Sequence, residues 1–257
     1  MTQTEKRIYL IKFLLAEQPQ YADIPIPAKE QNQKKLLRSL FNIRMPKPIS
    51  ETFLKIQDEY LREEAVRKGI MSLADLPSVQ NKIYLWQGDI TTLRCDAIVN
   101  AANSALLGCF VPCHGCIDNA IHSAAGVELR LECSRIMEKQ KAEEPTGKAK
   151  ITKAYNLPCR YILHTVGPII HGNVTEKDCR LLSDCYRSCL ELASSYQLKS
   201  IAFCCISTGE FHFPNRQAAE IAVQTVKAYQ NNNPDSPEVI FNVFKDNDYE
   251  IYRQLLG

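Results

Sequence analysis

The chain has 257 residues, enough for one full domain with an extension, and 45% of them are hydrophobic, which suffices for a packed core. A formal charge of only +2 gives no bulk attraction to nucleic acid or to an anionic membrane, and no run approaches the roughly 18 apolar residues of a spanning helix. Eleven cysteines is an odd number, and no export signal follows Met1, so reduced thiols in a cytoplasm are expected rather than a disulfide framework.

Residues 1–75 read as a helical extension. Apolar residues recur at mixed helical spacing from Arg7 to Ala16, and Lys29 to Asn42 is a second amphipathic stretch. Ser50 to Lys68 is the clearest helix, started by Ser50 or Glu51 and stopped by Gly69, with Phe53, Leu54, Ile56, Tyr60, Leu61 and Ala65 on one broad face. Ser72 to Pro77 reads as a linker, or as the lid of the next unit. The pattern then changes, and residues 76–257 form the second unit. Ile83–Gln87 and Ala97–Val99 read as strands, Ile117–Ala125 as a helix start, and Glu128–Gln140 as its continuation. Strands follow at Lys150–Tyr155 and Tyr161–Val166, then a helix over Asp178–Tyr196 and a buried strand over Ser200–Ile206. A helix opened by Pro214 runs to about Tyr229, Val239–Phe244 is the last strand, and Tyr249–Leu256 the last helix. Strands alternating with long helices predict an α/β sheet covered on both faces.

Four stretches carry chemistry. Gly88-Asp89-Ile90-Thr91 ends the first core strand, where a carboxylate can accept from an amine or a hydroxyl, although Gly-Asp is equally a common turn. Asn100-Ala101-Ala102-Asn103 ends the next strand; two amides around two small residues suit a polyol, or cap a helix. Ile206-Ser207-Thr208-Gly209-Glu210-Phe211 leads into a proline-started helix, an arrangement that offers N–H groups to an anion such as a diphosphate. The fourth, Gly108 to His122, gathers Cys109, Cys113, His114, Cys116 and Asp118. Thiolate and imidazole together select zinc under reducing conditions. Cys109, His114 and Cys116 give three ligands and an open position. Cys113 as a fourth would close the site and make it structural, but adjacent residues rarely point the same way. His122, His164 and His212 read first as structural histidines, and most other cysteines as small core residues.

These landmarks, in this order, resemble the macrodomain family of ADP-ribose-binding modules. Gly-Asp-Ile-Thr, Asp-Ala-Ile-Val-Asn-Ala-Ala-Asn, Ile-Asp-Asn-Ala-Ile-His-Ser-Ala-Ala-Gly, His-Thr-Val-Gly-Pro and Ile-Ser-Thr-Gly run from about Lys82 to the C-terminus. The resemblance implies a three-layer α/β/α sandwich with a mixed central sheet, preceded by the helical extension. It is nearest to the MacroD type of ADP-ribosyl hydrolase. Where that type has a glycine run, this chain has Cys109 to Cys116, which is similar to the zinc-containing macrodomains of bacterial pathogens, themselves extended by N-terminal helices.

Roles follow from the resemblance. Asp89 takes the adenine amine with Ile90 beside it, and Phe244 stacks on the adenine. Ser207, Thr208, Gly209, Glu210 and Phe211 wrap the diphosphate. Asn103 and Asp118 sit by the distal ribose and are catalytic, Asn100 also binds substrate, and Cys109, His114 and Cys116 hold zinc. The implied activity is removal of mono-ADP-ribose from protein side chains, with zinc polarising the distal ribose or a water. The rival is a non-catalytic reader of ADP-ribose with a structural zinc. A diphosphate-cleaving hydrolase is more distant, since no acidic cluster suits magnesium. Members of the zinc-containing subfamily occur alongside sirtuin-type transferases and lipoyl-carrier proteins, so the resemblance also implies a modified lipoyl-carrier protein as one candidate substrate. A monomer is the expected state.

Overall fold

The computed structural model describes residues 1–257. Three helices come first: α1 (Gln3–Ala16), α2 (Glu30–Ile43) and α3 (Glu51–Lys68). A capping box of Thr2 and Glu5 satisfies the first N–H groups of α1, and Ser50 accepts from the N–H of Phe53 to start α3. Their facing sides bury Leu10, Ile11, Leu14, Leu37, Leu40 and Phe53 in a cluster of their own. Each such side chain contributes about 1.5–3 kcal/mol by leaving water.

The remainder is a sheet with helices. A two-residue strand β1 (Met71–Ser72) pairs in parallel with β4 (Leu93–Arg94) outside the main sheet. The main sheet contains β2 (Ser78–Gln80), β3 (Ile83–Gln87), β5 (Ala97–Ala101), β6 (Ala149–Lys153), β7 (Tyr161–Thr165), β8 (Ser200–Phe203) and β9 (Glu238–Val243). Its order is β2-β3-β9-β8-β5-β7-β6. The five inner strands are mutually parallel, and β2 and β6 run antiparallel on the two edges, so the sheet is mixed as expected. Register is set by pairs such as Ile83 with Val239, Ala97 with Tyr161, and Ser200 with Glu238.

Every residue of β8 is buried, as are Val239 to Val243 of β9, which requires cover on both faces. The cover comes from α4 (Ile117–Ala125), α5 (Val127–Gln140), α6 (Glu176–Ser195), α7 (Asn215–Asn232) and α8 (Asp246–Leu256). The last three pack side by side, while α4 joins α5 and meets α2 and α3.

Three expectations change. Ser72 to Pro77 is not a plain linker: Ser72 belongs to β1, a short 3-10 turn spans Leu73–Asp75, and β2 begins one residue later at Ser78. The helix from Ile117 does not continue unbroken, because Gly126 at φ +96° divides α4 from α5, and the Gln57 amide sits where a Cβ would go. The strand from Ser200 leaves the sheet after Phe203, which frees the following residues to turn toward the strand ends.

Candidate active site

Because the five inner strands are parallel, their carboxyl ends share one edge of the sheet, the usual position of a ligand cleft in such folds. The residues singled out in the sequence arrive there in spatial order. Asp89 and Ile90 follow β3, Phe244 follows β9, residues 207–211 lie beyond β8, and Asn100 is the last residue but one of β5, with Asn103 just beyond its end. Scattered in sequence, they make one row across the sheet.

At one end, Asp89 accepts from the N–H and hydroxyl of Thr91 at 3.0 and 2.6 Å through Oδ1, so it does build a turn. Its Oδ2 lies 3.1 Å from Nζ of Lys68 at the end of α3. Burial works against its charge, but Thr91 and Lys68 together hold its carboxyl below the ordinary value. Ile90 is buried, and Phe244 presents a ring that is 75% exposed. A cleft of about 280 Å³ lies behind Asp89, between α2, α3 and α4.

The 207–211 loop turns tightly. Ser207 has φ +64° and His212 φ +57°, and the Phe213 N–H donates back to the Ser207 carbonyl at 2.9 Å. The N–H groups of Gly209, Glu210 and Phe211 donate to no protein acceptor, which leaves a run of donors for an anion. Gly167 lies directly beneath: a Cβ there would overlap Ser207 Oγ and come within 2.9 Å of Ile206 Cγ2.

At the other end, Asp118 in the first turn of α4 is 5% exposed. Asn100 Nδ2 donates to its Oδ1 at 2.8 Å, and Asn103 Nδ2 to its Oδ2 at 3.2 Å. Burial raises the Asp118 carboxyl to about 6, opposed by the Asn100 bond, the Arg130 charge and the Asn103 bond. Asn103 is half-buried and also donates to the Gly108 carbonyl at 3.1 Å. Asn100 is fully buried and works from beneath. Its amide lies 3.1 Å from Nδ1 of His164, whose Nε2 is 2.9 Å from Thr152 Oγ1. The Asn100 amide donates, so Nδ1 accepts and Nε2–H donates to Thr152. Burial brings His164 down to about 4 and keeps it neutral. His122, Cys133 and His164 also lie close enough to hold an ion. However, both ring nitrogens of His164 are already engaged, and no lone pair remains there for a metal.

The cysteine loop adjoins Asp118. The donor atoms of Cys109, His114 and Cys116 lie within 4.8 Å of one another. Tetrahedral zinc sets such ligands about 3.5–3.8 Å apart, so the three fit with a modest contraction. His114 Nδ1 is buried and has no partner, as a ligating nitrogen waiting for an ion should be. Cys116 is the N-cap of α4, where its Sγ accepts from the Asn119 N–H at 3.4 Å and a thiolate is favoured by the helix dipole. Burial, with Cys109 and Asp118 nearby, raises its thiol to about 12; a divalent cation is the charge that reverses this. Cys113 turns away at φ +52°, its Sγ 3.3 Å from the Lys35 carbonyl and from Ser39 Oγ of α2. All eleven cysteines are unpaired.

Some residues that shape the loop gave no signal in the sequence. Arg130, 4% exposed, donates to the carbonyls of Phe41, Asn42 and Arg44 at 2.6–3.0 Å, and to Leu107 at 2.6 Å. It also reaches Cys109 O at 3.5 Å and lies over the Phe110 ring at 4.2 Å. Arg38 donates to Asn119 Oδ1 and to the His114 carbonyl, and Asn42 Oδ1 accepts from the Cys113 N–H. His122, which reads as a structural helix histidine, is buried in α4 with its Nε2 3.5 Å from Asp118 Oδ1. The Asp118–His122 spacing of four on one helix face was the available signal. Burial, with His164 and Arg130 nearby, keeps His122 neutral, so the pair is not an ion pair.

Comparison with known proteins identifies the family. The Macro domain profile matches residues 99–222. A "Protein-ADP-ribose hydrolase" of Treponema medium is 55% identical over the full length of both chains. One from Staphylococcus aureus strain MSSA476 is 46% identical over 96% of this chain and 93% of its own. Among solved structures, the Trypanosoma brucei macrodomain in complex with ADP-ribose is 30% identical, covers 86% of this chain and 95% of its own, and superposes with a TM-score of 0.68. An Oceanobacillus iheyensis macrodomain with ADP is 41% identical over 68% of this chain and 89% of its own, TM-score 0.63. The chain belongs to the Macro domain family.

Proposed function

We propose that this protein removes mono-ADP-ribose from modified protein side chains, with zinc held by Cys109, His114 and Cys116. The observation that carries the reading is the adjacency of the Asp118–Asn100–Asn103 cluster, built on a buried carboxylate, and the three-donor group, at one end of the row along the strand ends. The row has the order of ADP-ribose itself. Asp89 and Phe244 suit adenine, the free N–H groups of residues 209–211 suit the diphosphate, and Asn103 with Asp118 suit the distal ribose. Relatives named protein-ADP-ribose hydrolase support the activity, and the Trypanosoma brucei complex supports the ligand.

Zinc, when bound, supplies a Lewis acid beside the distal ribose that can polarise a hydroxyl or a water. The chain's own residues do the rest. Asn100 and Asn103 each hold one oxygen of Asp118, fixing the carboxylate plane. Asp118 then orients the attacking water or the ribose hydroxyl next to it. Asn103 joins that carboxylate to the Gly108 carbonyl, so ribose and cysteine loop keep one spacing. The anion loop anchors the diphosphate and places the scissile bond.

The test is ADP-ribose release from a mono-ADP-ribosylated protein, comparing native enzyme with chelator-stripped enzyme that circular dichroism shows to be folded. Release that falls on stripping and returns with zinc supports the metal role. Unchanged release removes zinc from the reaction, and no release from any substrate makes the protein a reader.

A further inference from the structure

We propose that Glu210 is a positioning residue for His114: its carboxylate fixes the imidazole so that Nδ1 faces the metal, which joins the diphosphate loop to the cysteine loop. This rests on the zinc site proposed above.

Glu210 lies within the loop whose free N–H groups suit a diphosphate, yet a carboxylate beside a diphosphate is electrostatically adverse. Its placement asks for another partner, and the structure has one. Glu210 Oε1 lies 3.6 Å from His114 Nε2, just beyond hydrogen-bond length, and the Glu210 side chain has no other charged neighbour. The opposite ring nitrogen, Nδ1, is buried and unpartnered. The two nitrogens of one ring are then left different tasks: Nε2 faces the Glu210 carboxylate, and Nδ1, buried and unpartnered, is the nitrogen left for a metal shared with Cys109 and Cys116. A histidine that ligates a metal almost always donates its other N–H to a carboxylate or carbonyl, which sets the tautomer and raises the basicity of the ligating nitrogen. The backbone of His114 is held as well, since Arg38 Nη2 donates to its carbonyl at 2.9 Å and its N–H donates to the Val111 carbonyl at 3.2 Å. With the backbone fixed, ring rotation is the remaining freedom, and Glu210 removes it. Glu210 is 68% exposed at its side chain, so its truncation leaves the fold intact.

Two loops on different strands then share one contact. A ligand that orders the 207–211 loop steadies Glu210, and through it the metal ligand. Linkage makes this reciprocal: zinc strengthens ADP-ribose binding by the same factor that ADP-ribose strengthens zinc binding.

The test is zinc affinity by competition with a chromophoric chelator on the full-length, metal-stripped protein. Wild type is compared with Glu210→Ala, Glu210→Gln, Cys109→Ser and the surface control Glu176→Ala. The proposal predicts that Glu210→Ala weakens zinc roughly 10- to 100-fold. Glu210→Gln, whose amide oxygen still accepts from Nε2–H, recovers most of that loss, and Glu176→Ala changes nothing. Equal affinity in wild type and Glu210→Ala overturns the proposal while leaving the zinc site standing. So does an equal loss in Ala and Gln, which would mark a bulk charge effect. A wild type that binds no zinc, or binds it as tightly as Cys109→Ser does, overturns the zinc site and the positioning role with it. That failure shows in the wild-type and Cys109 arms, not in the Glu210 arm alone.

Discussion

Arg130→Met tests how the N-terminal helices hold the cysteine loop. Methionine keeps much of the length and removes the guanidinium. Three bonds to the end of α2, at Phe41, Asn42 and Arg44, are fully buried, and two more reach Leu107 and Cys109. An unpaired buried carbonyl costs about 1–3 kcal/mol, and the contact over Phe110 is worth about 1 kcal/mol. Against this, a buried cation no longer has to be desolvated, which returns several kcal/mol. The net expectation is a loss of about 3–5 kcal/mol, from the carbonyls left unpaired and the lost ring contact less the desolvation returned. At roughly 3 °C per kcal/mol for a chain of this size, Tm falls by about 10 °C. Urea unfolding in EDTA, so that metal binding adds nothing, measures the loss. Limited proteolysis should show new cleavage between residues 109 and 116. A loss below about 1 kcal/mol with an unchanged digestion pattern would refute the reasoning.

Gly167→Ala places a methyl group against Ser207 Oγ and Ile206, which forces the anion loop outward. Overpacking of this kind costs about 1–3 kcal/mol, so ADP-ribose affinity by calorimetry should fall about tenfold or more, and an unchanged Kd would contradict the placement. His164 is neutral in the folded protein at about 4 and titrates near 6.5 when unfolded. The unfolded chain therefore binds the extra proton. This stability is fully present above pH 6.5 and declines as pH falls toward 4, by ~3 kcal/mol in all. Asp118, raised to about 6, pulls the other way over much of that window, so the test is the difference: wild-type urea midpoints should fall more steeply, or rise less, than those of His164→Gln, and parallel slopes would show that His164 does not carry it.

Much of this was legible in the sequence where the signal is local. Ile83–Gln87 matches the observed strand residue for residue, because a strand bounded by Gly88 carries its own punctuation, whereas the helix begun at Ile117 stops at Gly126, where the apolar pattern runs on. The extension's three helices were visible from apolar spacing and from Ser50 and Gly69. The two-residue β1 was not, since it exists only by pairing with β4, some twenty residues away. In the site, the ends of strands announced Asp89, Asn103 and the 207–211 loop. The supporting shell stayed hidden for a physical reason. Arg130 and Phe41, Arg38 and His114, and Gln57 and Val127 meet across 70 to 89 residues, through backbone carbonyls and N–H groups that any sequence offers. The sideways turn of Cys113 was expected from its neighbours. Its fixing by Asn42 and Lys35 could come only from the packed α2.

The central claim is that the strand-end row binds ADP-ribose and that Asp118 acts on it. The most direct measurement pairs release of ADP-ribose from a mono-ADP-ribosylated protein with calorimetric binding of free ADP-ribose, for wild type and Asp118→Ala. The account predicts release reduced on the order of 100-fold or more, with binding retained within about tenfold. Wild-type release undiminished by Asp118→Ala would contradict it.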